Sequence, residues 1–171
     1  MALPSIIDPR KLAQQQALYQ GSVAADQLTR FAQAVTAIES DLTARVEFAL
    51  NASRKPCVSG QLQIAVAVPC QRCLESVTIA IAAEFAVEVV WNEEQAASIV
   101  KRADSWIVAE RQASLLELLE DELLLALPAV PMHPPQTCQH PPGYRPETAE
   151  LEEKSEKPNP FSVLANLKRD T

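Results

Sequence analysis

Between residues 42 and 89, apolar side chains recur at every second position. Leu42, Ala44, Val46, Phe48 and Leu50 form one run. Leu62, Ile64, Val66 and Val68 form a second, and Val77, Ile79, Ile81, Ala83, Phe85, Val87 and Val89 a third. A period of two sends successive side chains to opposite faces of a strand, so each run has one face for a core and one for water. A helix does not gather such a pattern on one side. The links are short, about Asn51 to Pro56 and Pro69 to Ser76, and short links join antiparallel neighbours. The spacing therefore predicts a three-stranded antiparallel meander, with Cys70 and Cys73 at the tip of its second hairpin.

Helical signals flank this sheet. Residues 8–19 read as a short helix starting near Asp8, with Pro9 in the first turn. Over 24–35, Leu28, Phe31, Ala32 and Val35 follow the i, i+3, i+4, i+7 stripe of a second helix. Ser105 to Ala109 adds a fourth strand. The clearest helix spans 114–127, where Ser114 and Glu117 form a capping box ahead of a leucine-rich run and Pro128 ends it. On this helix Glu117, Glu120 and Asp121 cluster on a polar side, while Glu122 falls in the apolar arc and needs a partner such as Arg45 if buried. The fold class expected is α+β, an antiparallel meander flanked by helices.

Composition changes beyond that helix. Nine of the 13 prolines lie between Pro128 and Pro160, and Glu147, Glu150, Glu152, Glu153 and Glu156 make the later part acidic. Such a segment has too little apolar surface to bury. The expected organisation is a 1–133 α+β domain, a 134–157 proline-rich acidic linker, and a 158–171 amphipathic tail. The tail reads as a short helix with Pro160 at its start.

The net charge of −7 and the 5% aromatic content argue against a broad phosphate-binding surface or a base-stacking platform. No apolar run approaches the length of a transmembrane helix. No basic region followed by a long apolar region opens the chain, so a secretory leader is not expected. Four cysteines without a leader fit a reducing cytoplasm, where metal binding or unpaired thiols are the default. The chain has no glycine-rich phosphate loop, and both histidines, His133 and His140, sit in the proline-rich segment away from any triad pattern.

Cys70-Gln71-Arg72-Cys73 leaves three readings open. Two cysteines on a turn can aim both sulfurs at one point, and Cys138 with His133 or His140 would complete a tetrahedral zinc site. The pair could instead be two small thiols on a turn. A thiol-disulfide oxidoreductase using Cys70 and Cys73 is the third reading. That chemistry places the motif at a helix N-terminus, whereas here Val77-Thr78-Ile79 follows as strand. Cys57 is expected to be a partly buried thiol without a role.

For contacts with partners, Arg72 within the turn could meet a phosphate or simply be solvated. Arg54 with Lys55, and Lys101 with Arg102, read as solubility features. In the tail, Phe161, Val163, Leu164 and Leu167 precede Lys168 and Arg169. A short amphipathic element on a mobile tether suits docking into a partner groove; packing back onto its own domain is the alternative.

Several segments recur together in an ordered set: Cys70-Gln71-Arg72-Cys73-Leu74, the stretch from Glu120 to Pro128, Val130-Pro131-Met132-His133 with Cys138, and the tail from Lys157 to Lys168. Asp8-Pro9 and Tyr19-Gln20-Gly21 fit the same set. With these, the chain resembles the YceD family, the bacterial large ribosomal RNA subunit accumulation proteins, over nearly its whole length. Many relatives carry extra cysteine pairs in the C-terminal half, where this chain has Cys138 alone. The resemblance implies a cytoplasmic, non-enzymatic factor supporting synthesis, processing or accumulation of the large-subunit (23S) rRNA. Its implied partners are that rRNA, ribosomal proteins or assembly intermediates. It also favours His133 over His140 as the fourth ligand, so that Cys70, Cys73, His133 and Cys138 form the candidate metal set for one structural zinc. Arg72, Phe161, Leu164, Lys168 and Arg169 are the candidate partner-binding residues. A zinc-stabilised protein-binding module unrelated to rRNA is a further alternative.

Overall fold

The computed structural model of the protein describes residues 2–99, 104–134 and 136–138. In chain order these form β1 (Ile6–Ile7), α1 (Pro9–Gln14), β2 (Leu18–Val23), two 3-10 turns (Ala25–Gln27 and Phe31–Ala34), β3 (Ala37–Ile38) and β4 (Leu42–Leu50). Then follow β5 (Pro56–Pro69), β6 (Ser76–Val90), α2 (Glu93–Ser98), β7 (Asp104–Ile107), β8 (Ala113–Ser114) and α3 (Leu115–Ala126).

The meander forms as its alternation predicts. β4, β5 and β6 pair antiparallel, with Phe48 opposite Val58 and Ile64 opposite Ile81. Leu42, Ala44, Val46, Phe48, Val58, Leu62, Ile64, Val66, Val68, Val77, Ile81, Phe85, Val87 and Val89 are buried on one face. Each large side chain moved from water to such a core contributes roughly 1.5–3 kcal/mol. The main sheet runs β2-β4-β5-β6-β7, with β3 pairing the far part of β5. One of its strands departs from expectation. β2 replaces the end of the first predicted helix, which stops at Gln14. Its core-side positions are Tyr19, Gly21 and Val23, and the glycine blanks the apolar alternation. The fourth strand forms where expected, as β7, and runs parallel to β6, because α2 carries the chain back before it enters the sheet.

α1 starts as predicted: the Asp8 carboxylate accepts the Lys11 N–H at 3.0 Å and Pro9 takes the first helical position. α3 starts at the predicted capping residue, with Ser114 Oγ accepting the Glu117 N–H. Its buried stripe is Leu115, Leu118, Leu119 and Leu123. The stripe packs over β6, and a small β1–β8 ladder, pairing Ile6 with Ser114, holds the helix entry in place.

Two expectations about α3 and its neighbour are corrected. The helix predicted over 24–35 is two 3-10 turns, although Leu28 and Phe31 are buried as its stripe requires. The reason is Glu120. Its Oε1 accepts the backbone N–H groups of Arg30 at 2.8 Å and Phe31 at 3.0 Å, so those donors bond a carboxylate from α3 instead of carbonyls one turn back. Glu120, placed on the polar side from sequence, is therefore the buried acid of the helix at 3% exposure. Glu122 is only half-buried, and Arg45 lies on the exposed face of β4, away from it.

Candidate metal centre

The turn between β5 and β6 is closed from within. Pro69 pairs with Ser76, the Cys70 N–H donates to Glu75 O at 2.8 Å, and the Leu74 N–H donates to Cys70 O at 2.9 Å. Leu74 takes a left-handed conformation, φ 64°, which tightens the turn and leaves Cys70 and Cys73 on one side of it. Across from this turn runs the chain leaving α3. The Gln71 N–H donates to Pro131 O at 2.8 Å, and the His133 N–H donates to Cys70 Sγ at 3.4 Å. A second turn follows, in which Pro134 O accepts the N–H groups of Thr137 and Cys138 at 3.0 and 3.1 Å.

Together the two turns gather four side chains. One ligand atom each from Cys70, Cys73, His133 and Cys138 lies within 4.8 Å of all the others. Cys70 Sγ is 3.8 Å from Cys138 Sγ, and Cys73 Sγ is 3.4 Å from His133 Nδ1. His133 Nε2 lies 3.1 Å from Ser76 O. A carbonyl only accepts, so this contact assigns the ring proton to Nε2 and leaves the Nδ1 lone pair facing the sulfurs. Cys70 is fully buried and the other three are half-buried.

The electrostatics of the cluster are uneven. Burial pushes the Cys70 thiol up, but the N–H groups of Cys73, His133 and Arg72 and the His133 side chain outweigh it and lower its pKa to about 5. Burial and the neighbouring Cys70 and Cys73 sulfurs push the Cys138 thiol up to about 11. One negative charge is therefore well accommodated, and further thiolates need a cation beside them. The arrangement suits a soft divalent metal, for which three thiolates and an imidazole are a common structural set. It is poorly arranged for thiol exchange, which needs an exposed sulfur at a helix start. Cys70 has no exposed surface, and its motif joins two strands.

The other candidates fall elsewhere. Arg72 is half-buried, with its guanidinium 3.9 Å from Met132 Sδ. Cys57 lies second in β5, at the end of that strand far from Cys70, and burial raises its pKa. Lys101, Arg102, His140, Phe161, Leu164, Lys168 and Arg169 lie outside the described residues.

A second surface has no signal in the sequence. Arg10 lays its guanidinium over Trp91, 3.3 Å from the ring centroid. The same group donates to Val90 O, Val108 O and Glu110 O. Around it lie two adjoining clefts. One, of about 620 Å³, is lined by Asp8, Arg10, Lys11, Gln14, Trp91, Arg111 and Gln112. The other, of about 710 Å³, includes Arg54, Lys55 and Glu88. Five cations from three separate segments converge here around a half-exposed tryptophan. Only a map of which strand ends meet would have found them.

A family model described as large ribosomal RNA subunit accumulation protein YceD matches residues 58–168. The chain is 37% identical over 168 residues to a Haemophilus influenzae protein named large ribosomal RNA subunit accumulation protein YceD, an alignment covering 98% of this chain and 97% of that protein. No solved structure matches the chain significantly. The match includes both halves of the cysteine–histidine cluster and spans the sheet and α3 that hold it, and on it the chain belongs to the YceD family.

Proposed function

We propose that this chain is a non-enzymatic cytoplasmic factor that supports synthesis, processing or accumulation of the large-subunit (23S) rRNA, acting through contacts with that RNA or with ribosomal proteins. The observation that carries this reading is the near end-to-end likeness to a relative whose name states accumulation of the large ribosomal RNA subunit. Among the described residues no helix is long and apolar enough to cross a membrane, which is compatible with a cytoplasmic site of action.

The contact surface with the best support is the pair of clefts around Trp91. Lys11, Arg54, Lys55 and Arg111 line them on a chain whose overall charge is −7. Lys55 pairs with Glu88 at 2.8 Å and Arg111 with Asp8 at 3.6 Å, and the excess of cations over these two acids supports contact with an RNA backbone. The tail residues Phe161, Leu164, Lys168 and Arg169 form a second proposed contact, toward a protein groove.

Deleting the protein should lower 23S relative to 16S rRNA, and the intact chain supplied in trans should restore the ratio. An unchanged ratio, together with no co-sedimentation with large-subunit particles, would reject the reading. Within it, the double variant Lys11→Glu, Arg111→Glu tests the clefts. Reduced rescue with normal folding is expected, and full rescue would remove them from the proposal.

A further inference from the structure

We infer that Cys70, Cys73, His133 and Cys138 hold one tetrahedral zinc ion that ties the β5–β6 turn to the segment leaving α3. The inference does not depend on the rRNA reading and is tested separately from it.

The distances carry the argument. Metal–sulfur bonds of about 2.3 Å and metal–nitrogen bonds of about 2.0–2.1 Å in a tetrahedron set sulfur–sulfur edges of about 3.8 Å and sulfur–nitrogen edges of about 3.5 Å. The Cys70–Cys138 separation is 3.8 Å and the Cys73–His133 separation is 3.4 Å. No pair in the set exceeds 4.8 Å, so closing every edge asks for about 1.3 Å of side-chain movement at most. A disulfide between Cys70 and Cys138 would need their sulfurs at about 2.05 Å and would leave the Cys73–His133 pair without a purpose.

The surroundings are built for ligation as well. Backbone N–H groups of Arg72, Cys73 and His133 point at Cys70 Sγ, and amide donors of this kind stabilise a metal-bound thiolate. Ser76 O holds His133 in the tautomer whose Nδ1 is free to coordinate. All four ligand positions are filled by protein, which marks a structural site rather than a catalytic one. On binding, the sulfurs bond to the metal as thiolates and any remaining thiol protons pass to water. The ligands come from two turns about 60 residues apart in sequence, and the second turn has almost no apolar surface of its own to bury. The ion is what would fix that segment, and with it the point from which the proline-rich chain departs.

The test uses the full chain expressed with zinc in the medium and purified under reducing conditions without chelator. Elemental analysis should find about one zinc per chain in the wild type and in Cys57→Ser, the fourth cysteine being far from the site. Cys138→Ala and His133→Ala should weaken zinc at least ~100-fold, beyond what loss of an outer partner costs. Replacing zinc by cobalt should give tetrahedral d–d bands and thiolate-to-cobalt absorption saturating at one equivalent. The cobalt readout on the wild-type chain does not require any variant to fold. The inference is overturned if the wild type holds less than about 0.2 equivalents and shows no thiolate-to-cobalt absorption. It is equally overturned if zinc affinity survives both ligand substitutions, or if the isolated chain carries a Cys70–Cys138 disulfide in place of metal.

Discussion

At Glu120 one carboxylate stands in for the carbonyls of a helical turn. It accepts from the Arg30 and Phe31 amides while 97% hidden, since only 3% of the residue is exposed. Glu120→Ala leaves both amides without a partner, and each buried orphan costs about 1–3 kcal/mol. The variant should lose about 3 kcal/mol in denaturant unfolding, while Asp121→Ala, which breaks only the exposed pair with Arg30, should lose less than about 1 kcal/mol. Glu122 behaves oppositely. Burial raises its pKa, with the Asp104 and Asp121 charges adding to the effect. The unfolded chain then releases that proton first, near pH 4.3, so stability declines as pH rises from there through the raised folded value. Glu122→Gln should therefore raise the thermal midpoint at pH 7 by the equivalent of a few tenths of a kcal/mol and leave it unchanged at pH 3. A gain at pH 3 equal to that at pH 7 would reject the titration account. The two acids are two residues apart in sequence, and nothing in that spacing says which one finds amide donors.

At the scale of elements, alternation and capping were sufficient wherever a segment's partner was its neighbour in sequence. β4, β5, β6 and α3 follow from period and caps, because hairpin pairing is closed by short links and the capping bond is local. The 24–35 segment failed as a helix because its amides bond a residue about 90 positions away. β2 was missed for a different reason: Gly21 interrupts its pattern, and the strand is held by Val23–Leu42 and Tyr19–Val46 pairing, with Tyr19 edge-on to Phe48 at 5.7 Å. Glycine has a positive purpose one strand further on. Gly60 faces Phe85 across the β5–β6 ladder, and a Cβ there would meet the Phe85 ring and, at 3.0 Å, Arg45 O. Backbone cannot yield and the ring is nearly buried, so Gly60→Ala should destabilise by about 1–3 kcal/mol. Restoring stability with Gly60→Ala, Phe85→Leu would confirm the clash, and a neutral single variant would disprove it.

In the whole molecule, β5 runs from the cation-lined cleft at its start to the cysteine–histidine cluster just past its end. Removing 158–171 should reduce rescue of the 23S to 16S ratio without changing thermal unfolding, as expected of a docking tail. A large fall in the unfolding midpoint would mean that the segment packs on its own domain instead. The sequence by itself determined the strands of the meander, the turn carrying Cys70 and Cys73, the start and end of α3, and the family, since each depends on local periodicity or on an ordered set of motifs. It also nominated Cys138 with His133 or His140 as partners of the turn from the ligand types alone, and the resemblance favoured His133 over His140. Only the tertiary structure decided that these four meet within 4.8 Å, that Glu120 is the buried acid, and that Arg10 covers Trp91 between strand ends. The physical reason is the same in each case. Hydrophobic period records which side of an element faces the core, whereas a contact between distant residues depends on how the chain closes on itself, and that closure leaves no mark at either end.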